Sequence, residues 1–386
     1  GAADEVLVPA AGIEGLNAQS SAIEGGWRDP FTVDIADPEH QRQQLAERMD
    51  WIAERVADGR LLEGQAGSVA QARRISDEAE PTDEFHVVAD EASLWCIALD
   101  SGLYKPPVDL DFDRNRCASL HPGEVVRVLR SGEGGQWLYV HAGHTTGWLH
   151  APTLTPTLPA VHLRELMQGP HLFSTDDDLR SDGGRPLRMG VRIPVVGREG
   201  ELRRVLVPTA EGLVEDTVSA SERVVEGELP LTRRNAWTMA LRELDTPYGW
   251  GGRAGHRDCS RLTRDVLVGF GLQMPRHSGV QGKLGSTNVD VSAMDEDAKR
   301  AEIRRQAERG LVLLYMPGHI MMYLGQDEGQ QYAVSAISEY LVPCVGGPDT
   351  VYRLGRVAVT TLELGRGSER TAYIQRITNL VVLAPS

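Results

Sequence analysis

The chain has 386 residues, 41% of them hydrophobic and 25% charged, the composition of a folded protein of two to four domains. Its formal net charge of -15 argues against a nucleic-acid-binding surface and against simple electrostatic adhesion to anionic lipid or polymer. No run approaches the roughly 18–20 apolar residues of a spanning helix, so no membrane span is expected.

Residues 1–85 are polar, acidic and rich in alanine. Within them Leu45, Met49, Ile52 and Val56 recur at three- and four-residue spacing, which predicts a helix from Pro38 to Val56 in a partly helical segment. The opening Gly1-Ala2-Ala3-Asp4 has no basic and apolar leader. That start fits a mature chain whose signal peptide has been removed, and it fits a cytosolic chain too.

Over 86–155 the texture changes to short apolar runs punctuated by Gly and Pro. Glu124 to Arg130, Trp137 to His141 and Gly147 to Leu149 read as strands, with Ser131 to Gly135 as the hairpin between the first two. Short strands ending in Gly147-Trp148 resemble a bacterial SH3 domain. Residues 156–229 repeat the texture, with Arg188 to Val196 and Arg204 to Pro208 as the clearest strands, and are expected to form a second SH3-like barrel. Tyr104 and Tyr139 are candidates to reach a ligand, although tyrosine on a small barrel more often belongs to core or rim. Cys96 and Cys117 would pair in an oxidising compartment if their backbones come close, a distance the sequence does not supply. The four cysteines lack metal-ligand spacing, so no metal is expected, and no cofactor either.

The last domain, 230–386, carries the chemistry. Thr232 to Leu244 is an amphipathic helix with Thr232 as N-cap and Ala236, Met239, Ala240 and Leu244 on one face. A Gly-rich aromatic loop, Pro247 to Gly252, follows, and then Asp258-Cys259-Ser260. Leu262, Val266, Leu267 and Phe270 form the apolar face of the next helix, which Gly271 ends. Cys259 therefore falls at a helix N-terminus, where unpaired N–H groups and the macrodipole favour a thiolate and a developing oxyanion. A buried structural cysteine would not call for such flanks. Among the histidines, His256 and His277 are near in sequence, but His256 lies where a cation is disfavoured. His319 is better placed as base: it opens the second strand of a hairpin, Leu311 to Tyr315 and Ile320 to Leu324, at the rim of an apolar sheet. Met321-Met322 reads as core packing.

Tyr248-Gly-Trp-Gly-Gly252, Asp258-Cys259-Ser260, Met274-Pro-Arg-His-Ser278 and Gly318-His319-Ile320 together resemble the NlpC/p60 cysteine peptidases. Within that family they resemble the members that place two bacterial SH3 domains before the catalytic domain and act as gamma-D-glutamyl-L-diamino acid endopeptidases. Val357 to Gly365 is similar to the same subgroup. The resemblance implies an α+β, papain-like catalytic domain with Cys259 as nucleophile and His319 as base. It implies cleavage between gamma-D-Glu and diaminopimelate or Lys in peptidoglycan peptides with a free N-terminal L-Ala, the first barrel narrowing the cleft. Carried over by motif position, Asp258 would bind the L-Ala ammonium, while Tyr248, Trp250, Ser260 and Ser278 would line the substrate sites. Where the family commonly has a histidine to orient the imidazole, this chain has Ser335, or Glu339 if the register shifts. A hydroxyl can hold the ring but carries no charge to stabilise an imidazolium. The expected protein is a monomer acting outside the cytoplasmic membrane, in the periplasm or cell wall. Alternatives are an impaired wall-binding or scaffold protein, or an amidase or transpeptidase on the same fold.

Overall fold

The apolar spacing in the N-terminal segment produces the expected helix, Pro38–Ala57, in a computed structural model that describes residues 3–32 and 37–385. The Asp37 carboxylate caps it by accepting from the amides of Glu39 and His40. Its buried stripe is used twice: Leu45 packs with Trp137, Tyr139 and Trp148 of the first barrel, and Met49 and Ile52 pack with Val69, Ala72 and Leu103. A helix not foreseen from sequence, Ala10–Ala22, lies against the C-terminal domain. There Leu16 joins the core, and Asn17 donates to the Gly271 carbonyl while accepting from the Gln273 amide. The N-terminal segment thus straps barrel and C-terminal domain together.

The first barrel is a six-stranded antiparallel sheet in the order Glu80–Val87, Val125–Gly132, Trp137–His141, Thr146–His150, Ala92–Trp95 and Arg116–Leu120. Its first strand starts at Glu80, within the segment that composition alone groups with the N-terminal helices. Alternation drives the packing: Val126, Val128, Val140 and Leu149 face a common core. Tyr139, 2% exposed, lies in the other cluster, with Leu45, Trp137 and Trp148. Cys96 and Cys117 are disulfide-bonded with Cα atoms 5.2 Å apart, closing off the loop that contains residues 105–114. The second barrel has five strands, ordered Gly212–Ser219, Leu202–Thr209, Arg192–Glu199, His171–Ser174 and Val224–Glu226, around Leu172, Ile193, Val205 and Val207.

The C-terminal domain is built on an antiparallel sheet ordered Thr287–Asp290, Asn379–Leu383, Leu311–Met316, His319–Asp327, Gln330–Val342 and Thr350–Thr361. Period-two alternation splits its apolar residues between two cores. Leu311, Leu313, Ile320 and Met322 face the helix Cys259–Val268, while Val312, Leu314, Met321 and Tyr323 face the helix Glu296–Arg309. Met321 and Met322 are thus both core residues, on opposite faces. Thr232 caps the helix Arg233–Arg242 by accepting from the Asn235 amide, and Leu244 falls beyond that helix and is 40% exposed.

The three globular units meet at the helix Cys259–Val268 through buried ions. Asp265 accepts from Arg257, Arg261 and Arg264 at 2.8–2.9 Å. Arg257 reaches Asp177 of the second barrel, while Arg261 and Arg264 reach Glu124 of the first. Glu124 and Asp265 are held below the usual carboxylate range: burial opposes ionisation, and the facing guanidiniums overcome it.

Candidate active site

Three local structures converge on one cleft. The loop Trp250–Gly255 turns through positive φ at Gly251 and Gly252, where the backbone comes so close to Arg116 and Ser119 of the first barrel that a Cβ would collide. This turn delivers the chain to Asp258, the N-cap of the helix Cys259–Val268, so Cys259 is the first helical residue. The sheet supplies the second element. The tight hairpin Met316 to His319 starts the strand His319–Asp327 at the cleft that Cys259 also lines, with the Ile320 amide near enough to favour the thiolate. The neighbouring strand supplies the third: Ser335 Oγ lies 3.0 Å from His319 Nε2. With Nε2 engaged by the hydroxyl, Nδ1 is the ring nitrogen left without a hydrogen-bond partner among the described residues.

The electrostatics of this group differ from those of a preformed ion pair. Burial, followed by repulsion from Asp258, pushes the Cys259 thiol up to about 12. The amides of Ile320 and Ser260 pull the other way without prevailing. Burial also depresses His319 to about 4, and the nearby Arg376 adds to the effect. The helix-terminus argument from sequence therefore gives the wrong resting state. Desolvation and the N-cap carboxylate outweigh the dipole, and at neutral pH the pair is thiol and neutral imidazole.

The cleft holds about 770 Å³. Its floor carries Cys259, His319, Tyr248 and Trp250, and the loop 105–114 of the first barrel forms one wall. That wall is fastened to the C-terminal domain: Trp250 donates to the Asp113 carbonyl at 2.9 Å, Phe112 meets Trp250 edge-on, and Arg353 pairs with Asp109. The rest of the lining includes Tyr373 and Arg376 of the C-terminal segment and Glu339, which pairs with Arg353 and Arg370. Glu339 is thus tied up away from the ring, and Ser335 is the residue on His319.

The remaining sequence-singled residues lie elsewhere. Asp258 is buried below the cleft and already has a cation: Arg276 forks onto it with contacts of 3.0 and 2.6 Å. Ser260 hydrogen-bonds to both. Asp258 also caps through the Arg261 amide and receives the Gly251 amide at 3.1 Å. A carboxylate so completely engaged has no open oxygen for a substrate ammonium, which is where the expectation for Asp258 and Ser260 meets the structure. Ser278 begins the short helix Ser278–Gln281 and is not among the cleft-lining residues; neither are Tyr104 and Tyr139. The described residues of segment 1–85 contribute nothing to the cleft either. Sequence reasoning missed Arg276 as the partner of Asp258, and missed Tyr373, Arg376 and the 105–114 loop altogether.

Residues 245–338, spanning Tyr248 to Ser335, match the NlpC/P60 family. The chain carries an NlpC/P60 domain. Residues 103–150 match the SH3 domain of SH3b1 type, so the NlpC/P60 domain is preceded by an SH3b domain whose loop walls the cleft. NlpC/P60 is a cell-wall peptidase family. A solved NlpC/P60 endopeptidase from Photobacterium damselae subsp. piscicida superposes with a TM-score of 0.74 at 13% identity, over 99% of this chain and 94% of that one, and so shares the fold. NlpC2 and NlpC1 from Trichomonas vaginalis, each 14% identical, cover 73% of this chain and 97% and 92% of their own at a TM-score of 0.27, which carries no argument. No curated protein matches the sequence. Among the described residues no helix is long and apolar enough to cross a membrane.

Proposed function

We propose that the NlpC/P60 domain hydrolyses the bond between gamma-D-Glu and a diamino acid in peptidoglycan peptides, with Cys259 as nucleophile and His319 as general base. The observation that carries this reading is the Cys259 thiol facing the His319 strand, with Ser335 on Nε2, at the bottom of a walled cleft. In the first step His319 Nδ1 takes the thiol proton as sulfur bonds to the amide carbonyl carbon. The oxyanion then faces the free amides at the start of the helix Cys259–Val268. Collapse breaks the C–N bond, the imidazolium returns its proton to the leaving amine, and an acyl-enzyme remains. Water, deprotonated by His319, then adds to the acyl carbon; the C–S bond breaks, the carboxylic acid leaves, and the imidazolium returns its proton to the sulfur.

The coupling of the two groups explains how a thiol raised to about 12 can react. The proton moves when a carbonyl is in place to receive the sulfur, so at neutral pH the free enzyme reacts only slowly with adventitious electrophiles. Tyr248 and Trp250, both on the floor of the cleft, line the substrate sites. The barrel loop limits what can lie upstream of the scissile bond, which favours short peptides ending in a free L-Ala. Asp258 and Ser260 act beneath the site with Arg276, positioning the Cys259 turn. The Cys96–Cys117 bond and the wall substrate both fit action outside the cytoplasmic membrane.

The test is mass spectrometry of L-Ala-gamma-D-Glu-diaminopimelate incubated with the wild type and with Cys259→Ala. Release of L-Ala-gamma-D-Glu by the wild type alone supports bond, nucleophile and reaction. If neither this peptide nor its L-Lys and N-acylated counterparts are cut, the alternative of a wall-binding protein without turnover takes its place.

A further inference from the structure

The cleft reverses the charge of the chain. The protein as a whole carries -15, yet the cleft is lined by five cations (Lys105, Arg114, Arg353, Arg370 and Arg376) against two carboxylates, Asp109 and Glu339. Those two carboxylates are already taken: Arg353 holds both, and Arg370 holds Glu339 as well. Arg114 and Arg376 are different. Each is half-buried, and among the described residues neither guanidinium forms a salt bridge or a side-chain hydrogen bond. Arg114 Nε is buried with no acceptor at all.

A guanidinium drawn out of water without an acceptor is costly unless something supplies one. Both side chains are also held in place. Arg114 lies over Trp250 at 4.3 Å and within 5.8 Å of the Phe112 ring, while Arg376 lies 5.8 Å from the Tyr373 ring. Both line the cleft, where an arginine fork can take a carboxylate through two parallel hydrogen bonds.

Their positions differ relative to the scissile bond. Arg114 stands over Trp250 on the barrel wall, which bounds the part of the peptide upstream of the scissile bond in the reading above. Arg376 stands by Tyr373, whose ring is 5.5 Å from that of His319. The group that protonates the leaving amine must sit beside the leaving residue, so Arg376 faces that half of the substrate. We propose that Arg114 and Arg376 are the carboxylate-binding residues of the cleft, Arg114 for the residue that becomes the acyl group and Arg376 for the leaving amino acid. The substrate class is then a peptide with free carboxylates on both sides of the cut bond. This inference rests on the peptidase reading and adds what that reading leaves open.

The experiment compares kcat/KM for three peptides: L-Ala-gamma-D-Glu-diaminopimelate, the same peptide amidated on the Glu carboxyl, and the same peptide amidated on the diaminopimelate carboxyls. Each amidation is expected to lower wild-type kcat/KM by about ten- to a hundredfold, the worth of a charge-assisted hydrogen-bonded contact. Arg114→Gln should abolish the penalty for the Glu amide alone, and Arg376→Gln the penalty for the diaminopimelate amides alone. The acid-to-amide ratio is read within each variant, so a partly destabilised protein still reports it. Arg114→Lys and Arg376→Lys, which keep the charge without the fork, should retain part of the discrimination. Equal wild-type turnover of all three peptides overturns this inference and leaves the peptidase reading standing, as does discrimination that survives both glutamine variants. No turnover of any peptide by the wild type overturns both.

Discussion

Replacing Ser335 by alanine tests how much a neutral residue can contribute to a base. In the resting enzyme the hydroxyl and His319 Nε2 make one neutral hydrogen bond of 3.0 Å, worth about 0.5–1.5 kcal/mol. When Nδ1 takes the thiol proton the ring becomes a cation, and the same contact becomes charge-assisted, worth about 1.5–3 kcal/mol. The ring is buried and its ordinary pKa is already depressed to about 4, so little else nearby shares the positive charge. Ser335→Ala is therefore expected to lower kcat by about ten- to a hundredfold. The effect should fall on kcat more than on KM, because the imidazolium exists only after the substrate is bound. This is well short of the roughly 10⁴-fold loss associated with an orienting carboxylate in serine triads. Steady-state kinetics on L-Ala-gamma-D-Glu-diaminopimelate, with near-ultraviolet circular dichroism as a check on folding, decides the matter. A change below twofold with the fold intact would show that Ser335 does not hold the ring in the reacting complex.

The resting protonation state predicts the pH behaviour of the thiol. In a Cys344→Ser background, which removes the exposed free cysteine, alkylation of Cys259 by iodoacetamide should accelerate about tenfold per pH unit from 7 to 10 without a plateau. A plateau beginning below pH 7 would instead reveal a preformed ion pair. The buried network yields a stability prediction. Asp265→Asn leaves Arg257, Arg261 and Arg264 with one negative charge fewer and should cost about 3–5 kcal/mol in chemical denaturation followed by tryptophan fluorescence. Asp58→Asn, at an exposed pair with Arg60, should produce no measurable change; equal effects at the two sites would refute the ranking. Finally, Cys96→Ser with Cys117→Ser frees the loop that walls the cleft and is expected to raise KM severalfold with kcat nearly kept. An unchanged KM would show that contacts such as Trp250 to Asp113 hold the wall without the disulfide.

Much of the site was legible because its information is local. A Gly-rich turn, a carboxylate, a cysteine and an apolar helix follow one another within a few residues, and His319 interrupts an otherwise apolar hairpin. Even Ser335 could be placed, since counting along alternating strands preserves register. What stayed hidden depends on contacts across domains. Arg257, Arg261, Arg264 and Asp265 have the spacing of a solvated helix face with an i,i+4 pair, yet both barrels cover them. The helix Ala10–Ala22 has weak amphipathic contrast in a Gly- and Ser-containing stretch and is held by its seat on the C-terminal domain. The thiol was misjudged for a related reason: the dipole is visible in a helix signature, whereas desolvation appears only when the neighbours are in place.

The ion cluster around Asp265 also bears on how such a protein can change over time. Small barrels are commonly regarded as detachable parts that can be exchanged between wall enzymes. Here Arg261 and Arg264 of the helix that begins with Cys259 reach Glu124 in one barrel, and Arg257, just before that helix, reaches Asp177 in the other. A transplanted barrel without those acids would leave cations stranded in the interior. Recombination at the domain seams is thereby penalised unless the matching acids travel along.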